Sequence, residues 1–431
     1  MVEKRYLFPF VVVTTLFALW GFANDITNPM VAAFQTLMEL PASKASLIQF
    51  AFYGGYATMA IPAALFIRRH SYKSGILLGL ALYAVGAFLF IPAAARQSFA
   101  FFCFSLYILT FGLAFLETTA NPFILTLGGK ENATRRLNMA QAFNPMGSLA
   151  GMAVASMVVL PNLLSDKRDA AGNILFPMLN ETEKAEIRLH DLAVIRDPYV
   201  VLGLVVLVML VVIALVKVPN RGEGLAVNTD CAEKPSAKGT LKRLVRNKVY
   251  REGVVAQMFY VAAQIMVWTF IIQYADNLGI DKATAQNYNI VAMCLFLGGR
   301  FLSTWMMKYV DGRRLLSIFG ILAAICSLGA ILIVGKTGLY CLVGISLFMS
   351  LMFPTIYGTA LEKVSLEDAS FGAAFLVMAI VGGALMPPLQ GMIIDCGAIA
   401  GHPAVNVSYG LPLACFVIVA LYGFRARKTD N

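Results

Sequence analysis

About twelve windows of roughly twenty mostly apolar residues recur along the chain, and a water-soluble fold has no interior large enough to hide them all. Their approximate limits are 7–34, 44–67, 74–95, 99–127, 137–160, 199–217, 250–275, 287–309, 314–334, 338–361, 371–394 and 407–424. A hydrocarbon core about 30 Å thick takes ~20 apolar residues per helical span. Backbone polar groups in lipid must be satisfied within the segment, so the spans are helical. The expected fold is therefore an all-α membrane protein with twelve transmembrane helices. Composition agrees, because only 13% of the residues are charged and mean hydropathy is +0.74, whereas soluble domains carry roughly 25% charge. Little chain is left for a soluble domain.

A net charge of +10 raises the possibility of nucleic acid, but the basic residues sit in short runs between the spans and report topology instead. "EKR" at the N-terminus, "RRHSYK" at 68–73, "RR" at 135–136, "DGRR" at 311–314 and "RARK" at 425–428 fall on alternate sides from the remaining loops. Lys217 to Arg251 holds nine basic and three acidic residues, whereas Pro161 to Asp197 holds five basic and seven acidic. The first connection and both termini are read as cytoplasmic, the second as outside. The first span is long, is interrupted by polar residues and lacks a small-residue cleavage site, so no removable signal peptide is read.

The seven cysteines include Cys103, Cys294, Cys326, Cys341 and Cys415 inside spans and form no CxxC pair, so they imply neither a disulfide framework nor a zinc site. No P-loop, H-E-x-x-H or dinucleotide fingerprint is present, and His70, His190 and His402 are all expected in loops. No cofactor, metal or enzymatic nucleophile is expected. Energy for any uphill transport then comes from an ion gradient. One charge falling through 100 mV releases ~2.3 kcal/mol, enough to concentrate a neutral solute about fiftyfold.

The basic connection splits the spans into two sets of six, giving expected halves at 1–217 and 250–431 with a linker at 218–249. An internal echo supports the division. "FYGGYATMAIPAALFIRRHSYKSG" crosses from the second span to the third, and "CLFLGGRFLSTWMMKYVDGRRLL" from the eighth to the ninth. Each has a double glycine followed by a tight basic turn. Such glycines also serve plain close packing of helices.

An ionised side chain at a span's centre costs ~2.5–3.5 kcal/mol, so Asp25, Glu117 and Arg300 must face protein or water. In "LFALWGFANDITNPM", Trp20, Asn24 and Asn28 recur every four residues on one helical face, with Asp25 beside them. Pro29 removes a backbone donor and invites a break. The competing reading is a helix that enters the outer interface early. In "GLAFLETTANPF", Glu117 lies mid-span, where desolvation favours the neutral carboxyl and suits a proton carrier. A structural hydrogen bond is the alternative.

The fifth span opens with Asn138, Gln141 and Asn144 at spacings of three, and the seventh carries Tyr260, Gln264 and Trp268 at spacings of four. Amides can donate to and accept from sugar hydroxyls, and an aromatic ring stacks on the apolar face of a pyranose. Interhelical hydrogen bonding and interfacial anchoring explain any one of them as well. Gln49, Tyr53, Tyr56, Pro354 and Tyr357 are further candidates. Arg300 suits either a coupling role or a structural ion pair.

Together, "ALWGFAND", "LIQFAFYGGY", "LETTANPF", "LNMAQAFN", "YVAAQ", "GRFLSTW" and "FPTIYG" resemble the fucose, galactose and glucose proton symporter family of the major facilitator superfamily, in order along nearly the whole chain. The resemblance implies alternating access by two six-helix halves and proton-driven sugar uptake across a bacterial inner membrane; some relatives use sodium. It makes Glu117 a coupling and sugar-binding residue and matches Gln141 and Asn144 to the fifth-span amides. Where fucose members carry a first-span aspartate, this sequence has Asn28, and its own Asp25 lies three residues earlier, one helical turn away.

The expectation is an ion-coupled importer of a neutral monosaccharide, monomeric in the bilayer, with Asp25 and Glu117 carrying protons. Asn24, Asn28, Gln141, Asn144, Tyr260, Gln264, Trp268 and Tyr357 would contact the sugar. The alternatives are a sodium-coupled sugar transporter and an efflux antiporter for small organic solutes, the latter needing a mainly aromatic and Met-lined cavity. A sensor would need a larger cytoplasmic module than the linker supplies.

Overall fold

The structure, a computed structural model, describes residues 7–126, 140, 143–169, 174–215, 237–307, 309–362, 364, 366–399 and 401–428. Every apolar window has a described helix on it. The first is carried by α1 (Leu7–Thr27) and α2 (Met30–Leu37); after a single turn of helix, α3 (Ala42–Ala45), the second is carried by α4 (Leu47–Arg69). The third lies on α5 (Tyr72–Phe88) and α6 (Phe90–Ala95), the fourth on α7 (Phe99–Thr126), the fifth on α8 (Phe143–Val154) and the sixth on α9 (Glu181–Leu215).

A short helix in the linker, α10 (Ala237–Arg246), precedes α11 (Lys248–Asp276) and α12 (Lys282–Met306), the seventh and eighth spans. Then come α13 (Gly312–Leu332), α14 (Lys336–Met349) with α15 (Met352–Leu361), and α16 (Leu366–Met378) with α17 (Gly382–Ile394). A minimal antiparallel pair, β1 (Ala398–Ile399) and β2 (His402–Pro403), and the one-turn α18 (Ala404–Ser408) lead into α19 (Gly410–Lys428).

Among the described residues, ten segments are long and apolar enough to cross a bilayer. The other two windows lie on α4 and α12. α12 is less apolar because it carries Lys282, Gln286, Asn287, Asn289 and Arg300. Local chemistry sets the starts of several helices. Ser71 caps α5 by accepting from the Ser74 amide at 3.1 Å, Asn247 caps α11 through the Tyr250 amide at 3.2 Å, and Asp281 caps α12 through the Thr284 amide at 2.8 Å. The expected break at Pro29 is present, since α1 ends at Thr27 and Pro29 stands immediately before α2.

Two expectations change. The outer connection is helical from Glu181 onward, so α9 is 35 residues, about 52 Å, and outruns the hydrocarbon core. His190 therefore sits on a helix rather than in a loop, with Nδ1 3.0 Å from Asp191 Oδ1. Asp191 is fully buried and also accepts from the Leu164 amide at 2.9 Å, which explains how an acid is retained there.

Residues pack into two compact units. The first draws on 1–27, 54–164 and 180–234. In it α1 crosses α8 at close range, where Gly147 and Gly151 form a GxxxG surface. A Cβ on Gly147 would lie 1.8 Å from the Ala18 carbonyl oxygen, and one on Gly21 2.0 Å from that of Asn144, so the backbones touch. Along α4 and α7, a Cβ on Gly55 would meet Thr110 Cβ at 2.8 Å.

The second unit draws on 28–53, 165–179 and 235–431. Here a Cβ on Gly299 of α12 would lie 2.6 Å from the Leu347 carbonyl oxygen of α14. The segments from the first part of the chain are held by polar contacts. Asp395, just past α17, accepts from the amides of Ala42 at 2.6 Å and Ser43 at 3.0 Å, while Gly391 packs against the same backbone. Asp166 pairs with Lys282, and Arg168 with Asp276.

Candidate functional site

In the first unit the polar half of α1 turns inward. Asp25 is 1% exposed, and the half-buried Asn24 donates to its Oδ2 at 3.4 Å. One residue pair further, Thr27 is fully buried and bonds both the Ala23 carbonyl at 2.7 Å and the Tyr199 hydroxyl at 2.9 Å. The stretch is therefore protein-lined rather than merely solvated at an interface. Asn144, at the start of α8, donates to the Phe17 carbonyl of α1 at 3.3 Å. The Gly147 and Gly21 contacts fix that approach, so the glycines position the amide. Trp20 lies over Tyr56, ring centroids 6.5 Å apart and 24° from parallel.

Glu117 is half-buried on α7, flanked by Thr118 and Thr119, whose hydroxyls return to the carbonyls of Ala114 and Phe115. Those threonines satisfy themselves along their own helix and leave the carboxyl as the distinctive polar group of the turn. Gln141 and Asn138 lie outside the described residues.

The second unit holds the other candidates. Asn28 is fully buried, accepting from Gln49 Nε2 at 3.1 Å. Along α11, Tyr260 is fully buried and donates to the Met349 carbonyl at 3.2 Å. Trp268 is 3% exposed; its indole donates to Ser346 Oγ at 3.1 Å, and its ring meets Phe296 edge-on at 5.2 Å. Both polar groups are thus engaged in the packing of their own unit. Gln264 between them is half-buried. The Arg300 guanidinium lies over Phe296 at 4.8 Å, a cation–π contact that tethers the charge to the aromatic pair. Tyr357 stacks on Phe353 at 6.2 Å and packs against the cluster of Leu244, Tyr250, Ala360 and Leu376, well separated along α11 from Trp268.

Sequence reasoning missed the groups that hold Trp268. Asn289 of α12 is fully buried and donates to the Trp268 carbonyl at 2.9 Å and to Gln286 Oε1 at 3.3 Å. The signal was available in "TAQNYNIV", where Gln286 and Asn289 share a face at a spacing of three. A groove of about 990 Å³ in the first unit is lined by Leu19, Phe22, Ala150, Val154, Val201 and others, mostly apolar, and none of the predicted site residues touches it. Its polar lining is confined to Thr15, Asn162, His190 and Asp197, and the rest of its walls are apolar or glycine. Among the described residues, no cluster of three His, Cys, Asp or Glu side chains is placed to hold a metal ion.

Against known proteins, the chain is 62% identical over 428 residues to the L-fucose-proton symporter of Haemophilus influenzae, covering 99% of this chain and 98% of that relative. It is 33% identical to the L-fucose-proton symporter of Escherichia coli K12, covering 100% and 95% respectively. Among solved structures, the transporter FucP in its outward conformation superposes with a TM-score of 0.72 at 31% identity, covering 98% of this chain and 99% of that one. With a Major Facilitator Superfamily signature that also matches residues 12–387, the chain belongs to that superfamily, as a multi-pass membrane transporter of twelve helices.

Proposed function

We propose that the chain is a proton symporter that imports L-fucose or a closely related neutral monosaccharide by alternating access. The observation that carries this is end-to-end identity of 62% with a relative named for that activity, in a chain that places the carboxyls of buried Asp25 and half-buried Glu117 on α1 and α7 of one unit. Asp25 and Glu117 are the proton carriers: neutralising a buried carboxylate lowers the cost of moving a desolvated cavity through its occluded state. Asn24, Asn144, Gln141, Asn28 and Gln264 supply amides to sugar hydroxyls. Tyr260 and Trp268 shape the α11 wall, with Asn289 and Ser346 as supports. The protein works as a monomer in the bacterial inner membrane with both termini cytoplasmic.

The test is uptake into proteoliposomes of labelled L-fucose, D-galactose and D-glucose under a proton gradient, a sodium gradient or neither. L-fucose accumulating only with the proton gradient is the expected result. Accumulation driven by sodium alone, or no uptake by folded protein under any condition, overturns the proposal.

A further inference from the structure

The linker helix α10 presents a surface that neither the fold nor the transport site uses. Its sequence, "AKGTLKRLVR", contains no acidic residue. One face is committed to the protein: Thr240 and Leu244 are buried, and Leu244 joins Tyr250, Ala360 and Leu376 in a small core. On one flank Arg243 grips Asp368 of α16 with two hydrogen bonds, Nε to Oδ2 at 2.7 Å and Nη2 to Oδ1 at 2.6 Å. The helix is therefore anchored in one rotation about its axis.

That rotation leaves the opposite flank open. Leu241 is 45% exposed and Val245 51%, and they stack one turn apart. Lys242 and Arg246, also one turn apart, are exposed beside them, and Lys248 and Arg251 continue the basic surface onto the first turn of α11. Two apolar side chains bordered by cations are poorly matched to water, yet suit the boundary between acyl chains and headgroups. The position agrees, because only the capping residue Asn247 separates α10 from the membrane-spanning α11. The helix cannot stand far from the bilayer surface.

We infer that α10 is an interfacial helix that binds anionic phospholipid, with Leu241 and Val245 inserted at the acyl boundary and Lys242 and Arg246 paired with headgroup phosphates. Charge complementarity selects the occupant: a zwitterionic lipid offers the same chains without the net charge. Through the Arg243 to Asp368 grip, a lipid seated there also bears on the start of α16.

The experiment is native mass spectrometry of the detergent-solubilised full chain titrated with palmitoyl-oleoyl phosphatidylglycerol or with the phosphatidylcholine of the same chains. Wild type is expected to hold phosphatidylglycerol more tightly. Lys242→Gln/Arg246→Gln is expected to lose about thirtyfold in phosphatidylglycerol affinity, from about 1 kcal/mol for each basic side chain, with phosphatidylcholine binding unchanged. Both side chains are exposed, so the variant folds. Lys44→Gln/Lys336→Gln, exposed charges on other helices, is the control and retains wild-type binding. No lipid preference in wild type, full retention by the α10 variant, or an equal loss in the control overturns the inference.

Discussion

The packing of α4 on α7 in the first unit and of α12 on α14 in the second use the same device but differ in the chemistry beside it. In each, the second glycine of a pair brings its helix against a later helix of the same unit, Gly55 at Thr110 and Gly299 at Leu347 and Ser350. Two turns beyond Thr110, α7 carries the carboxyl of Glu117. Immediately beyond Gly299, α12 carries Arg300, whose charge is spread over Phe296 and, through it, abuts Trp268. Close backbone approach and the charge placed next to it are thus separable: one has been kept at both sites, and the other has opposite sign and different company.

The largest effect is expected from exchanging the two charges for amides. Glu117→Gln should reduce proton-driven accumulation from as much as about fiftyfold to equal concentrations on both sides, while sugar counterflow persists. Arg300→Gln should keep gradient-driven accumulation and lose about 0.5–2 kcal/mol of stability with the cation–π contact. Undiminished accumulation by the Glu117 variant, or abolished accumulation by the Arg300 variant, would break the contrast.

Next come the glycines. Gly55→Val and Gly299→Val should each destabilise by about 1–3 kcal/mol, because a Cβ at either position meets atoms closer than 3 Å that belong to a neighbouring helix. Thermal melts in detergent check this, and losses that differ by more than that range would show that the two contacts are not equivalent.

Smaller again is Ser346→Ala, which removes the acceptor of the Trp268 indole and should cost about 1 kcal/mol, with a shift in tryptophan emission that the same change at Ser350 does not produce.

The smallest effect contrasts helix starts. Burial opposes ionisation of Asp281, but hydrogen bonds from the Thr284 amide and hydroxyl, with Arg168 nearby, hold its carboxyl below the usual range. A depressed carboxyl contributes stability that is present above its unfolded value near 3.9 and lost as pH falls through the folded value. Stability tied to the start of α12 should therefore drop below about pH 4, and Asp281→Asn should flatten that drop. Ser71 at the start of α5 carries no charge to titrate, so Ser71→Ala should leave the acid slope unchanged.

Hydropathy made the twelve spans legible, because each must hide its backbone in a slab of fixed thickness. The break at Pro29 was legible for an equally local reason. Asp25, Asn24 and Asn144 could be picked out because a polar side chain within an apolar run has few ordinary explanations. What side chains touch was not legible. Tyr260 and Trp268 share a face with Gln264 on a helical wheel, yet their polar groups go to Met349 and Ser346, some 80 residues on, and spacing within one helix cannot reveal a partner on another. The helical start of α9 at Glu181 was hidden by its charged first turns, which read as loop when hydropathy alone sets the boundary. The "GSLAG" run at 147–151 carried its meaning only once α1 was seen lying across it.

The bond from Asp395 to the amides of Ala42 and Ser43 spans 353 and 352 positions of chain. At roughly 5–20 residues per second, ribosomes take on the order of 20–70 s to travel that far. Through that interval the start of the second span stands in the membrane without its acceptor, and the last spans to be inserted must arrive before it is covered. This contact is therefore a late event in the birth of the protein, and a truncation that removes α17 would leave the earliest-made helices lacking a partner that nothing upstream supplies.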